Sequence, residues 1–386
     1  MYTISLIVGI IPLFFSHFFS VFGLVIGQGS SFERVKVILF CFLVLLALID
    51  VILFSYEKLE QISRRKYLIF FSILLFPLLA HGILGGSFDA SFFWGSYEKH
   101  HGYFFFSALV LLFGISTLLE KKEYERILKI SFFTSLGVAI FALLEYLHIY
   151  SFFPQGVGKI SWELGRTIST LGNPNYVAGY LLLHLPFLVL FSSRYRIAFG
   201  ILLASAILTT GSLIGMALMM GYGFFLLLPK KSYRILILCS IFMIGIVCMY
   251  FFLPSEKLLS FTSRFVLMYE TMRLFFSHPL GILFGNGSDS IITLYSGSRS
   301  KLINSYFPAT SAIDSSHNIF LDILYFFGLP FFVFLLWHVK KIWRNIDTMS
   351  RASLILGILF FSLNVIVIAP IIPLIIILGY ASHQSR

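Results

Sequence analysis

The chain has 386 residues, 58% of them hydrophobic and only 12% charged. A water-soluble domain with that ratio would expose large apolar patches, whereas a bilayer solvates helices that are apolar all round. Composition therefore excludes an ordinary soluble enzyme, and the net charge of +11 reads as cytoplasmic lysines and arginines that orient membrane helices, not as a nucleic-acid surface.

A membrane helix needs about 20 apolar residues, fewer inside a bundle, and the runs in this chain predict an all-α, polytopic membrane helix bundle with about 12 transmembrane helices. In chain order they lie near 4–27, 35–54, 67–85, 102–119, 130–150, 174–192, 197–210, 212–229, 235–253, 317–338, 352–367 and 369–381. The first run, Ile4 to Gly27, is too long for a signal-peptide core and lacks a small-residue cleavage pattern, so it reads as a retained helix. Two pairs leave an alternative open. The pair 197–210 and 212–229 is split by Thr209-Thr210-Gly211-Ser212, and 352–367 and 369–381 are split around Pro370 and Pro373. Were either pair one long helix, every later loop would change sides.

The positive charges choose an orientation. Loops after even-numbered spans, with the C-terminus, hold 18 of the 28 lysines and arginines, which puts both termini in the cytoplasm. The whole chain, 1–386, reads as one polytopic membrane domain. Two outer segments exceed what a connector needs: 151–173, and the long periplasmic loop 254–316. Cys41, Cys239 and Cys248 all fall in apolar runs, so no disulfide and no metal site is expected from them.

Three polar constellations fall on that outer side. In Gly165-Arg166-Thr167-Ile168-Ser169-Thr170-Leu171-Gly172-Asn173-Pro174-Asn175, Asn173 suits a helix N-cap and Pro174 the first helical position. A helix N-terminus beside Arg166 could hold a phosphate; alternatively Arg166 sits among lipid head groups. In the long loop, residues 264–276 have helical spacing, with Phe265, Met268, Met272 and Phe276 on one face, which predicts an interfacial helix. Its Arg264 and Arg273 are candidates for anion contact or for snorkelling. The third runs from Asp314 to Asp322. Asn318, Asp322 and Tyr325 make a polar stripe on an apolar helix, with His317 above it. Ionisable residues at such depth usually face a polar cavity, and histidine suits proton transfer near neutral pH. Weaker candidates are Glu145, Trp94, Tyr97, Lys99, His100 and His101. The histidine pair has no partner at metal spacing in its loop.

Taken in order, these segments resemble the O-antigen ligase and polymerase family of bacterial envelopes. The resemblance rests on Arg166 with Gly172-Asn173-Pro174-Asn175 and Ala178; on Arg264 followed by His278-Pro279-Leu280-Gly281 and Gly285; and on Ser316-His317-Asn318 with Leu321 leading into Phe327-Gly328-Leu329. Trp94-Gly95-Ser96-Tyr97 with His101-Gly102 also looks like a stretch of some members, so the likeness spans 90–340. It implies an inner-membrane glycosyltransferase similar to the type-C enzymes. The donor would be a glycan on undecaprenyl diphosphate at the periplasmic face, and the acceptor lipid A–core or another saccharide. The resemblance implies neither cofactor nor metal. Arg264 and His317 match the catalytic positions, the first neutralising the diphosphate, the second taking the acceptor's proton or orienting the diphosphate. Arg166, Asn173, Asn175, Arg273, Asn318 and Asp322 are the substrate-binding candidates. One departure stands out: many members carry Ser-Arg-Gly/Ala where this chain has Ser212-Leu213-Ile214, so Arg166 or Arg273 would have to supply the second positive charge.

The same motifs serve repeat-unit polymerases, which stay an alternative. A transporter or flippase would instead show polar groups or broken helices near the midplane, for which Asn364 and the Pro370/Pro373 break are the support. A non-catalytic assembly partner that keeps the fold is the third reading.

Overall fold

The computed structural model describes residues 2–14, 31–55, 88–95, 101–149, 166–227, 255–287, 300–307 and 315–384, with isolated positions at 57, between 72 and 83, at 291 and at 313. All regular structure among them is helical. The helices are α1 (Tyr2–Ile10), α2 (Ser31–Phe54), α3 (Ala90–Trp94), α4 (Tyr103–Ser116), α5 (Lys121–Tyr146), α6 (Pro174–His184), α7 (Ser193–Thr209), α8 (Leu213–Leu227), α9 (Ser255–Ser277), α10 (Pro279–Phe284), α11 (Lys301–Tyr306), α12 (Ile319–Ile342), α13 (Thr348–Phe361) and α14 (Ile368–His383). The expected spans near 67–85 and 235–253, residues 15–27 of the first span, and 151–165 of the outer segment fall outside the described residues, isolated positions apart. So do Asp314, Tyr97, Lys99, His100, Cys239 and Cys248.

Among the described residues, three stretches are long and apolar enough to cross a bilayer: Glu33–Phe54, Lys121–Tyr146 and Ile319–Asn345. Shorter apolar helices accompany them, including Tyr103–Ser116, Thr348–Phe361 and Ile368–His383. Helix α2 shows how the composition is spent. Val37, Phe40, Val44, Ala47 and Val51 are buried on one face, while Phe42, Leu45, Ile49 and Leu53 are exposed on the other. Both faces are apolar, which only lipid or a neighbouring chain can solvate.

The main core joins α1, α2, α4, α5, α6, α7, α13 and α14 around Phe105, Phe132, Tyr180, Phe187, Phe360 and Phe361. Lipid tails are as apolar as these side chains, so packing and interhelical hydrogen bonds must hold such helices together, each bond contributing about 0.6 kcal/mol. Ser131 on α5 bonds His184 on α6 at 2.8 Å, and Ser353 on α13 donates to the carbonyl of Leu183 at 2.8 Å. At one end of the bundle, Tyr124 stacks on Tyr380 with ring centroids 3.9 Å apart and bonds Ser350 at 2.7 Å. The starts of α5 and α13 and the end of α14 therefore meet there.

Both doubtful pairs are two helices each. Between α7 and α8 the chain turns at Thr210–Ser212, with Gly211 at φ +59°. Between α13 and α14 it turns through residues 362–367, and Pro370 and Pro373 lie inside α14. The break thus precedes the prolines, where Pro370 occupies the first turn of the new helix and costs no hydrogen bond.

A second, smaller core packs beside the first. It joins Leu267, Leu274 and Phe275 of α9 with Ile291, Ile303 of α11, Ile313, and Leu324–Phe327 of α12. Phe106 of α4 touches both cores. The interfacial helix expected at 264–276 runs longer, as α9. Its Phe265, Tyr269 and Phe276 are exposed while Leu267, Glu270, Thr271 and Leu274 face inward.

A backbone interlock seats this unit. Pro330 has no N–H for the carbonyl of Phe326 four residues earlier. Helix α12 breaks there, with Gly328 at φ +81°, and the freed carbonyls accept from the end of α10. The amide of Asn286 bonds Tyr325 O at 2.8 Å, and that of Gly287 bonds Phe326 O at 3.2 Å. Gly285, at φ +78°, lies so close that an added Cβ would sit 2.2 Å from Phe326 O; one on Gly328 would sit 2.7 Å from Gly285 N.

Candidate functional site

Opposite the Tyr124 end, several helix termini meet. Glu33, in the first turn of α2, accepts the amide of Ile368 at the start of α14. The ends of α5, α7 and α13 and the starts of α6 and α12 join them through the bonds described below. All three polar constellations of the sequence come to this end.

Arg166 is set by its neighbours in the chain. Thr167 pairs with Thr209 through both the amide, 3.2 Å from Thr209 O, and the hydroxyls, 3.1 Å apart. Glu145, at the last turn of α5, accepts the amides of Ile168 at 2.9 Å and Ser169 at 2.8 Å. The Thr170 hydroxyl donates to Pro12 O at 2.7 Å, and buried Lys36 donates to Thr170 O at 2.6 Å. On that frame the Arg166 side chain lies over Gly211. Its Nε donates to Thr210 O at 2.8 Å and its Nη2 reaches Asn175 Oδ1 at 3.4 Å. Asn173 is the N-cap of α6, accepting the amide of Asn175 at 2.9 Å, with Pro174 next.

Arg264 comes from the second core. Its Nη1 donates to Leu363 O at 2.6 Å and to Asn364 Oδ1 at 3.2 Å, at the C-terminal end of α13. Asn318 caps α12, accepting from Phe320 at 2.9 Å and Leu321 at 3.1 Å, and its amide donates to Ser362 O at 2.9 Å. Arg264 and Asn318 thus hold successive residues of one stretch, 362–364, and His317 directly precedes Asn318 in the chain. His317 itself sits at φ +58°. Asp322 makes the turn that puts it there. It is buried and accepts the Ser315 hydroxyl at 2.8 Å, the Ser316 hydroxyl at 2.7 Å and the Ser316 amide at 2.9 Å.

The electrostatics are one-sided. Burial lowers the pKa of Arg166 from its ordinary value. Burial also lowers that of Arg264, and the charge of Arg166 lowers it further, with Tyr176 partly offsetting the two. The two guanidiniums therefore lie near enough for their charges to interact. Among the described residues, neither has a carboxylate partner; the ion pairs there are Arg273 with Glu270 and, at 3.8 Å, His101 with Glu33. Both arginines bond neutral acceptors and keep donors to spare: Nε and Nη2 on Arg264, Nη1 on Arg166. Two repelling, half-buried cations with unused N–H groups make a place for an anion with oxygens on two sides.

The chain matches no family model, no curated protein and no solved structure. The site stands on its own geometry.

Arg273 does not join it as a bare charge. Its Nε and Nη2 both bond Glu270 Oε2, at 3.0 and 2.8 Å, and its side chain is 47% exposed. Leu213 begins α8, two residues beyond the Gly211 that Arg166 covers. Trp94 and His101 close another loop at this end: the amide of Gly102 bonds Trp94 O at 3.2 Å, and the His101 ring stacks on Phe105 at 4.4 Å. No group of three or more potential metal ligands occurs among the described residues. Sequence reasoning missed Lys36, whose signal was a lysine inside an apolar run, and the carbonyls of Thr210 and Leu363, which no side-chain pattern can announce.

Proposed function

We propose that this chain is a membrane-embedded transferase that moves a glycan from a polyprenyl diphosphate to a saccharide acceptor, at the outer face of the inner membrane. The twelve-span reading, with both termini cytoplasmic, supports the outer placement. The observation that carries the reaction class is the pair Arg166 and Arg264, two guanidiniums near enough to repel, each bonded only to neutral acceptors and without a carboxylate partner among the described residues. In glycan transfer the acceptor oxygen bonds the anomeric carbon, the bond from that carbon to the diphosphate oxygen breaks, and the electron pair leaves with the diphosphate. The growing negative charge is what two arginines stabilise. His317 takes the proton of the acceptor hydroxyl. Arg166 supplies the second positive charge in place of the arginine that Leu213 lacks, because Arg273 is committed to Glu270.

Ligase and polymerase chemistry share this site, and the acceptor, lipid A–core or a growing glycan, separates them. Of the two supports for the flippase reading, Asn364 is engaged by Arg264 and by Phe360 O at 3.1 Å, while the break before Pro370 stands. Purified protein in lipid, given a glycan–diphospholipid and an acceptor, tests the proposal. Release of free polyprenyl diphosphate with glycosylated acceptor is expected. Lipid translocation without release, or neither event, overturns it.

A further inference from the structure

The strongest unassigned group is Glu145. Its carboxylate is 2% exposed. It is aimed at the backbone of the Arg166 stretch, not at the arginine itself. Oε2 accepts two successive amides, those of Ile168 and Ser169. Ser169 stands at φ +45°, a left-handed conformation that side-chain-bearing residues rarely hold. A single oxygen that binds the two amides around that bend stabilises it against relaxing to an ordinary backbone. The bend then turns the chain inward, where the Ser169 hydroxyl donates to Val138 O at 2.8 Å.

We propose that Glu145 is a positioning residue for Arg166: it is the template on which residues 168 and 169 fold, and it thereby fixes the height at which the Arg166 guanidinium meets an anion shared with Arg264. This deepens the proposed function and rests on its anion site. The geometry also says which property of Glu145 matters. Its Oε1 is buried with no hydrogen-bond partner. One well-placed oxygen is therefore the working part, and a glutamine, which keeps an oxygen acceptor of the same reach, should preserve binding while its buried NH2, without an acceptor, lowers stability. Aspartate keeps the charge but draws the oxygen back by one methylene, so it should fail.

The test is binding of inorganic diphosphate to the full chain in phosphatidylcholine nanodiscs, with thermal unfolding followed in parallel. Glu145→Ala should weaken binding about tenfold, the scale of one charge-assisted hydrogen bond. The double variant with Arg166→Ala should bind no more weakly than Arg166→Ala alone, because Glu145 acts only through Arg166. Combined with Arg264→Ala, Glu145→Ala should show its full effect. Glu145→Gln should stay within about threefold of the unmodified chain, since a neutral acceptor gives a somewhat weaker bond. A merely structural role would lower stability without this pattern of non-additivity. If Glu145→Ala does not fold, Glu145→Asp against Glu145→Gln decides: weakened aspartate with retained glutamine supports the template, and two unaffected variants overturn it. Normal binding by Glu145→Ala, or an effect that adds fully to Arg166→Ala, also overturns it. Absence of saturable diphosphate binding by the unmodified chain would instead remove the anion site itself.

Discussion

Arg166 and Arg264 come near enough to repel from two differently built regions. Arg166 belongs to the main bundle, on a stretch tied by side-chain and backbone bonds to α1, α2, α5 and α7. Arg264 belongs to the smaller core around α9, which meets the bundle through Arg264 itself, through Asn318 and through Phe106. One cation is fixed by many local bonds, the other by the seating of a whole unit. Because the charges repel, nothing in their own interaction draws the two regions together. An anion between them would do so. The same contrast says how each side can be damaged: the Arg166 side through single hydrogen bonds, the Arg264 side through the seating of its unit.

The largest effect should come from removing the cation of the separately seated unit. Arg264→Ala should lower glycan transfer on the order of 100-fold, the scale of deleting one charge-stabilising donor, at unchanged membrane abundance. Near-normal turnover would sink its assignment. Next is Gly328→Ala, which strikes the interlock. The left-handed backbone alone should cost about 1–3 kcal/mol, and the added Cβ would also meet Gly285 N at 2.7 Å. Limited proteolysis should then cut α9–α11 faster while α5 and α6 stay protected; equal protection of both regions would mean they are one unit. Asp322→Ala comes third. It strands the Ser315 and Ser316 donors, and loss of charge-assisted bonds should lower stability by about 1.5–3 kcal/mol, read as a fall in the unfolding midpoint, with Arg166 unaffected in diphosphate binding to an Arg264→Ala background. The smallest is Arg273→Ala. Its guanidinium is half-exposed and held by Glu270, so its loss should change transfer per folded molecule by less than about threefold, while the buried Glu270 left unpaired lowers stability. A large loss would show that the second charge comes from α9 and not from the bundle.

The sequence announced features that depend on neighbours in the chain. Asn173 with Pro174 reads as a helix start and is one, whereas Asn318, which reads as part of a polar stripe inside the helix, is the N-cap of α12. The turn at Thr209-Thr210-Gly211-Ser212 separates two helices, as its composition suggested. What was hidden depends on distant partners. Asp322 looked like a ligand group lining a cavity, because its stripe with Asn318 and Tyr325 was visible while its bonds to Ser315 and Ser316, which require the chain to double back, were not. Glu145 looked like a lone carboxylate near a helix end, since its partners are backbone amides 23 and 24 residues away. The helical spacing of 264–276 is legible, and Phe265 and Phe276 of its apolar face are exposed, but the inward face made by Leu267, Leu274 and Phe275 is not marked by that pattern. A bilayer makes that reading hard, because outward and inward faces are equally apolar.

The back-to-back backbones of Gly285 and Gly328 work as a ruler. Two chains that touch without side chains between them can be mated at one notch only. Sliding α10 by a single residue would push Phe284 or Asn286, each with a Cβ, against Phe326 O. Helix α9 is joined to α10 with only His278 between them, so the notch also gauges how deep Arg264 lies. The position of that charge against the bundle is thus a stepped quantity, set in the polypeptide main chain and insulated from changes in the greasy side chains around it.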